Sequence, residues 1–343
     1  MQIRILPLLF KKSNSFFEKI FVCWIVFPSP QKLEENQDHD TRYGGLKMKQ
    51  RRTDLAMEGR ELWQESAGRT AQLRGVEATE GEREGLPVTT IRVLDREGEQ
   101  ALGKPVGRYV TLTLNGLAGR AEGIFSRAAQ AVAGELGSLI QEIPPQGLVL
   151  VAGLGNRAIT PDAIGPKVHE NTLVTRHLVE QMPEHFGHLR PVASLSAEVL
   201  GNTGVESGEV VRAVCEKIHP TCVIAVDALA SRSLDRLCRT VQLADTGIAP
   251  GSGVGNHRFR LDRDSLGVPV IAIGVPTVVD GATLAADLLD VQEPPRLGGG
   301  QELFVTPKDI DSQVADLAKV IGYGISMALQ PGLTVEELDL LLS

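Results

Sequence analysis

Two aspartates stand where acid–base chemistry is usually sited. Asp162 follows the apolar run Gly147–Ala152 and a Gly153-Leu154-Gly155-Asn156 turn, within the segment Thr160-Pro161-Asp162. Asp227 directly follows a second apolar run, Cys222–Val226. Short apolar runs alternating with helical segments predict the strands of a parallel sheet, and ligands gather at the carboxyl ends of such strands. Both acids then fall on one rim of the sheet. Two carboxylates on a rim can hold a water, a metal ion or a shared proton, because neighbouring like charges do not both ionise cheaply. Taken singly, each has an ordinary structural use: Asp162 suits the positive first turn of a helix, and Asp227 suits a strand end. Their joint placement is what points to chemistry.

The elements that must position them can be read along the chain. Arg52–Ser66 has helical spacing, with Thr53 as N-cap and Leu55, Leu62 and Trp63 on one apolar face. Gly68–Gly85, rich in Glu, Gly, Arg and Thr, reads as a loop or frayed helix. Val88–Val93 and Gly107–Leu114 read as strands, and the Ala-rich stretch Gly123–Ile140 as a helix. After the strand at 147–152, Thr160 is expected to cap a helix that has Pro161 at its first position. Helices at 165–183 and 207–218 lead to the strand at 222–226, followed by strands at Arg239–Leu243 and Val268–Ile273. Glu293–Gln301, with two prolines and three consecutive glycines, is a surface loop, and an amphipathic helix over Asp309–Leu329 precedes a short acidic tail. The expected fold is α/β: a mixed, largely parallel sheet flanked by helices, in a single domain over residues 55–343.

Bulk properties narrow the class. A hydrophobic content of 42% and a charged content of 23% are those of a globular protein with a core. A net charge of −8, with no Lys/Arg stripe, argues against direct nucleic-acid binding. Cys23, Cys215, Cys222 and Cys238 show no CxxC spacing, so a disulfide framework or zinc finger is not expected and a reducing cytoplasm is the default. The apolar stretch Phe16–Phe27 is shorter than the roughly 20 residues of a membrane span. Phe27-Pro28-Ser29-Pro30 is a poor signal-peptide cleavage site. Met48, closely preceded by Gly44-Gly45, is instead the expected true start, with 1–47 a non-native or disordered extension.

Other motifs are weaker. Gly153-Leu154-Gly155-Asn156 lacks the third glycine of a dinucleotide fingerprint, and Pro250–Asn256 lacks the Gly-Lys-Ser/Thr of a P-loop. The first reads as a tight turn at a strand end, and the second as a flexible loop or a close backbone approach to a peptide substrate. Asp245-Thr246-Gly247 matches the triplet of pepsin-type proteases, which need two such triplets on β-rich lobes, so Asp245 reads as a supporting carboxylate. Asn156, Asp245, Ser252, Gly253 and Asn256 are therefore the candidates for substrate-loop contacts. Ser231, Ser233 and Ser252 lack the G-x-S-x-G context of a serine hydrolase. His169 and His257, nearest the rim, are the histidines that a metal-dependent version would recruit.

From about Arg52 to Leu329 the chain resembles the germination protease family of spore-forming bacteria. The blocks that carry this, in order, are Arg52–Glu58, Leu154–Pro166, Asn202–Glu206, Val226–Ser233, Asp245–Asn256 and Phe304–Asp311. The resemblance implies an endopeptidase that degrades small acid-soluble spore proteins at germination, located in the forespore or spore core. It also implies a homotetramer made as a self-processing zymogen, with a fold similar to hydrogenase-maturation endopeptidases. The family's two critical aspartates carry over to Asp162 and Asp227. Its substrates are cut in a Thr/Gly-Glu↓Phe/Ile-Ala-Ser-Glu pattern, which Thr53, Asp54, Leu55, Ala56, Met57 and Glu58 follow. Self-cleavage is therefore expected between Asp54 and Leu55, releasing a propeptide 48–54. No cofactor is required by this reading. A divalent metal on the same aspartates, and a non-catalytic binding protein on a peptidase-like fold, are the alternatives.

Overall fold

The computed structural model describes residues 53–67, 73–250, 259–289, 291 and 303–342. The extension 1–47, residues 48–52 of the expected propeptide, the loop at 293–301, and Ser252, Gly253, Asn256 and His257 lie outside the described residues.

Along the chain the elements are α1 (Ala56–Ala67), β1 (Val76–Arg83), β2 (Leu86–Val93), α2 (Arg96–Leu102), β3 (Gly107–Thr113), α3 (Ile124–Leu139) and β4 (Val149–Leu154). A 3₁₀ turn over Thr160–Asp162 leads into α4 (Ile164–Glu170), then α5 (Arg176–Gln181), α6 (Pro183–Phe186) and β5 (Val192–Ala197). Next come α7 (Leu200–Thr203), α8 (Ser207–Ile218), β6 (Cys222–Ser231), β7 (Thr240–Ala244) and α9 (Arg263–Leu266). The chain closes with β8 (Val270–Asp280), α10 (Gly281–Leu288), β9 (Phe304–Val305), α11 (Ile310–Leu329) and α12 (Val335–Leu342).

Among the described residues the strands form one mixed sheet in the order β1-β2-β3-β7-β8-β6-β4-β5, with β9 added to β8. Its parallel part is β8-β6-β4-β5; β1, β2, β3 and β7 extend it with antiparallel pairings. Alternation of the strands divides the core between two faces. On one, Val149, Val151, Ile224, Val226, Ile271 and Ile273 pack with residues of α3, α4 and α11. On the other, Leu150, Ala152, Val223, Ala225 and Ala272 pack with Leu55 and Ala56 at the start of α1, Leu102 of α2 and Val211 of α8. The helix-flanked mixed α/β sheet expected from the run pattern is the observed architecture.

Several local expectations are corrected. The Glu-rich segment before Gly85 contains β1, an edge strand whose pattern is largely exposed, so its polarity reflects solvent and not lack of structure. Glu84 and Gly85, both at positive φ, make the two-residue turn of the β1–β2 hairpin. Thr53 precedes α1 instead of capping it: its Oγ1 accepts from the Leu55 N–H at 3.0 Å. Thr160 is not a cap either, and its hydroxyl donates to Asp311 Oδ1 at 2.7 Å. The long helix expected over 165–183 is broken into α4, α5 and α6, with Pro183 starting the last of them. The acidic tail is helical, as α12, whose Val335 and Leu338 pack beneath it against Tyr323 of α11.

Asp339 ties α12 down, accepting from Lys319 Nζ at 2.8 Å and from the Tyr323 hydroxyl at 2.7 Å. Lys319 and then Tyr323 hold the Asp339 carboxyl below its ordinary 3.8. A depressed carboxyl pKa contributes stability that is fully present above 3.8 and lost as pH falls through the lowered folded value. Asp339→Asn should therefore lower the thermal midpoint at pH 7 by a small amount, because the pair is exposed, and leave it unchanged well below about pH 4, where the wild-type contribution is already lost.

Candidate active site

The chain leaves β4 toward β5 on one side and leaves β6 toward β8 on the other, so the strand order reverses between β4 and β6. Crevices outside the carboxyl ends of strands at such a switch point are the usual ligand sites of open α/β sheets. Asp227 lies on one of these two strands and Asp162 in the turn that follows the other. Asp227 is buried, 4% exposed, and lies within β6, one residue beyond Val226, whose partner on β4 is Gly153. The expectation that the strand stops at Val226 is thus corrected: pairing with β8 carries β6 on to Ser231, through a bulge at Leu229/Ala230. Asp227 Oδ1 accepts from the Ala228 N–H at 2.9 Å.

Asp162 is half-buried in the 3₁₀ turn beyond β4, and that turn packs against β6 and β8. Its Oδ2 and its carbonyl both accept from the Asn156 N–H, at 2.8 and 3.0 Å, while Asn156 Oδ1 accepts from Ala158 N at 2.9 Å. Asn156 therefore shapes the loop that presents Asp162. Gly155 permits the closure: its φ is +115°, and a Cβ there would lie 2.1 Å from the Asp162 carbonyl oxygen.

The segment Thr53–Glu58 docks beside this rim, on the continuation of β6. Asp54 N donates to Ala230 O and Ala230 N donates to Asp54 Oδ2, both at 2.9 Å. Leu55, Ala56 and Glu58 are all 0% exposed. Glu58 accepts from the Ser231 hydroxyl (2.9 Å), Arg232 N (2.7 Å), Ser233 N (3.2 Å) and Arg236 Nη1 (2.9 Å), and from the Thr53 hydroxyl. Two of the three serines that lacked hydrolase context in the sequence, Ser231 and Ser233, thus donate to this carboxylate. The Asp54 carbonyl accepts from Lys104 Nζ at 2.9 Å and from Gln242 Nε2 at 3.3 Å, and Gln242 Oε1 accepts from Ala56 N at 2.8 Å. Burial lowers the Lys104 pKa, against the pull of the Asp54 carboxylate.

Gln242 pairs with Gly274, and Gly274 with Asp227, so Gln242 and Asp227 occupy one row across the sheet and point to the same face. At about 4.8 Å between strands, their Cα atoms are roughly 10 Å apart. Nothing in the sequence flagged Lys104 or Gln242; the sheet register alone brings them here.

Other candidates lie elsewhere. Asp245 follows β7, which runs opposite to β8, and so sits toward the amino ends of the parallel strands, where its Oδ1 accepts from Arg108 N at 2.8 Å. His169 Nδ1 contacts the Ser194 hydroxyl of β5 at 2.7 Å, and burial lowers its pKa. Among the described residues no group of three or more His, Cys, Asp and Glu side chains is arranged to hold a metal ion. Nor is any described helix long and apolar enough to cross a membrane.

A helix-flanked mixed sheet with two acids at its switch point has the form of an α/β enzyme. Residues 56–292 match the family model described as germination protease. Proteins named germination protease are similar over most of their length. The one from Caldanaerobacter subterraneus subsp. tengcongensis is 43% identical, covering 85% of this chain and 98% of that protein. The one from Bacillus licheniformis is 36% identical, covering 81% and 93%. Among solved structures, the [NiFe] hydrogenase maturation protease HycI from Thermococcus kodakarensis KOD1 aligns with 56% of this chain and 98% of its own, at 19% identity and a TM-score of 0.32. The chain belongs to the germination protease family, and is a peptidase.

Proposed function

We propose that this chain is an endopeptidase of the spore core, made as a zymogen, that cuts itself between Asp54 and Leu55 and then degrades small acid-soluble spore proteins. The observation that carries the reading is the docking of Thr53–Glu58 on the same strand, β6, that bears Asp227, with the turn bearing Asp162 packed against that strand. In the proposed hydrolysis one aspartate takes a proton from the attacking water and the other protonates the departing nitrogen. Two neighbouring carboxylates titrate as a pair, so one can be ionised while the other stays protonated. Leu55, Ala56 and Glu58 already occupy buried places, so the cut leaves a new N-terminus anchored at α1. The homotetramer belongs to the same reading.

Incubation of the full chain at mildly acidic pH should produce a shortened protein whose first residue is Leu55, detected by intact mass and N-terminal sequencing. The shortened form should cut a peptide containing Thr-Glu-Ile-Ala-Ser-Glu at the Glu–Ile bond. A new N-terminus at another position, or none, would refute self-cleavage at Asp54–Leu55.

A further inference from the structure

We propose that Lys104 and Gln242 are catalytic residues of the self-cleavage, the pair of donors that hold the scissile carbonyl oxygen and stabilise the oxyanion formed on it. The inference rests on cleavage at Asp54–Leu55 and adds the electrostatic half that two carboxylates do not supply. In the hydrolysis the water oxygen bonds to the Asp54 carbonyl carbon and the π electrons move onto the carbonyl oxygen. The C–N bond to Leu55 then breaks, the nitrogen takes a proton, and Asp54 is left with a new carboxylate. Negative charge accumulates on that oxygen before the bond breaks, and an aspartate that delivers its proton to the departing nitrogen leaves the oxyanion to other donors.

The oxygen in question has two side-chain donors on it: Lys104 Nζ at 2.9 Å and Gln242 Nε2 at 3.3 Å. Their approach is fixed. Gln242 is 8% exposed and held in β7, and its other amide atom accepts from Ala56 N, so the amide spans the residues on either side of the P1′ leucine. Lys104 follows the αL cap Gly103 of α2 and sits beside the Asp54 carboxylate. Ala230 N also donates to Asp54 Oδ2, which fixes the side chain of the residue whose carbonyl is attacked. Donors fixed before charge develops need not reorganise when it does, which is what gives such a pair its leverage on rate.

The test uses the full-length chain and follows conversion to the Leu55 form by intact mass, with thermal midpoints in parallel. Lys104→Met keeps the apolar stem and removes the charged donor. It should convert on the order of 10²-fold more slowly than wild type at an unchanged midpoint. Gln242→Glu is isosteric and keeps the oxygen that accepts from Ala56 N, and it replaces the neutral donor with a carboxylate oxygen that repels the oxyanion. It should slow conversion by about tenfold. Lys104→Arg, which restores a cationic donor, should recover part of the loss. Conversion at the wild-type rate in either the Met or the Glu variant overturns the proposal while leaving self-cleavage standing. A wild-type chain that never yields a Leu55 N-terminus removes the reading on which it rests. Should Lys104→Met lose stability, Gln242→Glu decides alone.

Discussion

Asp162→Asn and Asp227→Asn should each give a folded precursor that fails to trim itself. An amide matches the carboxylate in shape and retains a carbonyl oxygen. The Asn156 N–H at position 162 and the Ala228 N–H at position 227 therefore keep an acceptor. What is lost is the ability to take or give a proton. Positioned acid–base groups contribute roughly 10²–10⁴ in rate each, so either variant alone should bring conversion near background. If the two act as one device, as proposed, the double variant should be little slower than the worse single one. Intact-mass time courses with circular dichroism measure both halves of this expectation. Normal trimming by Asp162→Asn would remove that residue from the mechanism.

The second large effect is expected at a residue that carries no chemistry. Gly165 lies in the first turn of α4, directly against the end of β4 and the middle of β6. A Cβ there would stand 2.2 Å from Leu154 O, 2.4 Å from Leu154 N and 2.5 Å from Val226 O. All three are backbone atoms of neighbouring strands, so no side chain can swing aside. Gly165→Ala must push α4 off the sheet, and α4 is continuous through Ala163 with the turn that carries Asp162. Overpacking of this kind costs about 1–3 kcal/mol and occasionally more. A displacement of about 1 Å at a catalytic group can cost on the order of 10²-fold in rate. Gly165→Ala should therefore lower the urea midpoint and slow self-cleavage together. Gly137→Ala, in α3 with nothing within 4 Å of the added methyl, is the matched control and should be neutral or stabilising. A Gly165→Ala protein with wild-type stability and conversion would show that α4 does not need its close seat.

How much of this could be read from the sequence depended on whether the signal was local. Apolar runs marked β4, β6, β7 and β8, because strands buried on both faces are apolar along their length. Helical spacing marked α3, α8 and α11, each with one face against the sheet or a neighbouring helix. Edge elements escaped. β1 exposes much of its length and β5 is only partly buried between its ends, and their Glu, Ser and Thr residues carry a loop-like composition. The extension of β6 through Asp227 was also hidden, since a polar residue in a strand reads as a strand end until its partner β8 is known.

The sequence by itself determined the family, the two acids and the segment Thr53–Glu58, because each is written as contiguous residue types in a fixed order. Only the tertiary structure decided that the segment docks on the strand bearing Asp227, with the turn of Asp162 packed against it. It also decided that Glu58 is buried among Ser231, Arg232, Ser233 and Arg236, and that Lys104 and Gln242 reach the Asp54 carbonyl. The reason is physical: strand pairing sets which distant residues share a row, and Gln242 faces the same side as Asp227 only because both pair with Gly274. A slip of one residue in that register would turn Gln242 to the opposite face, and no local pattern in the chain records it.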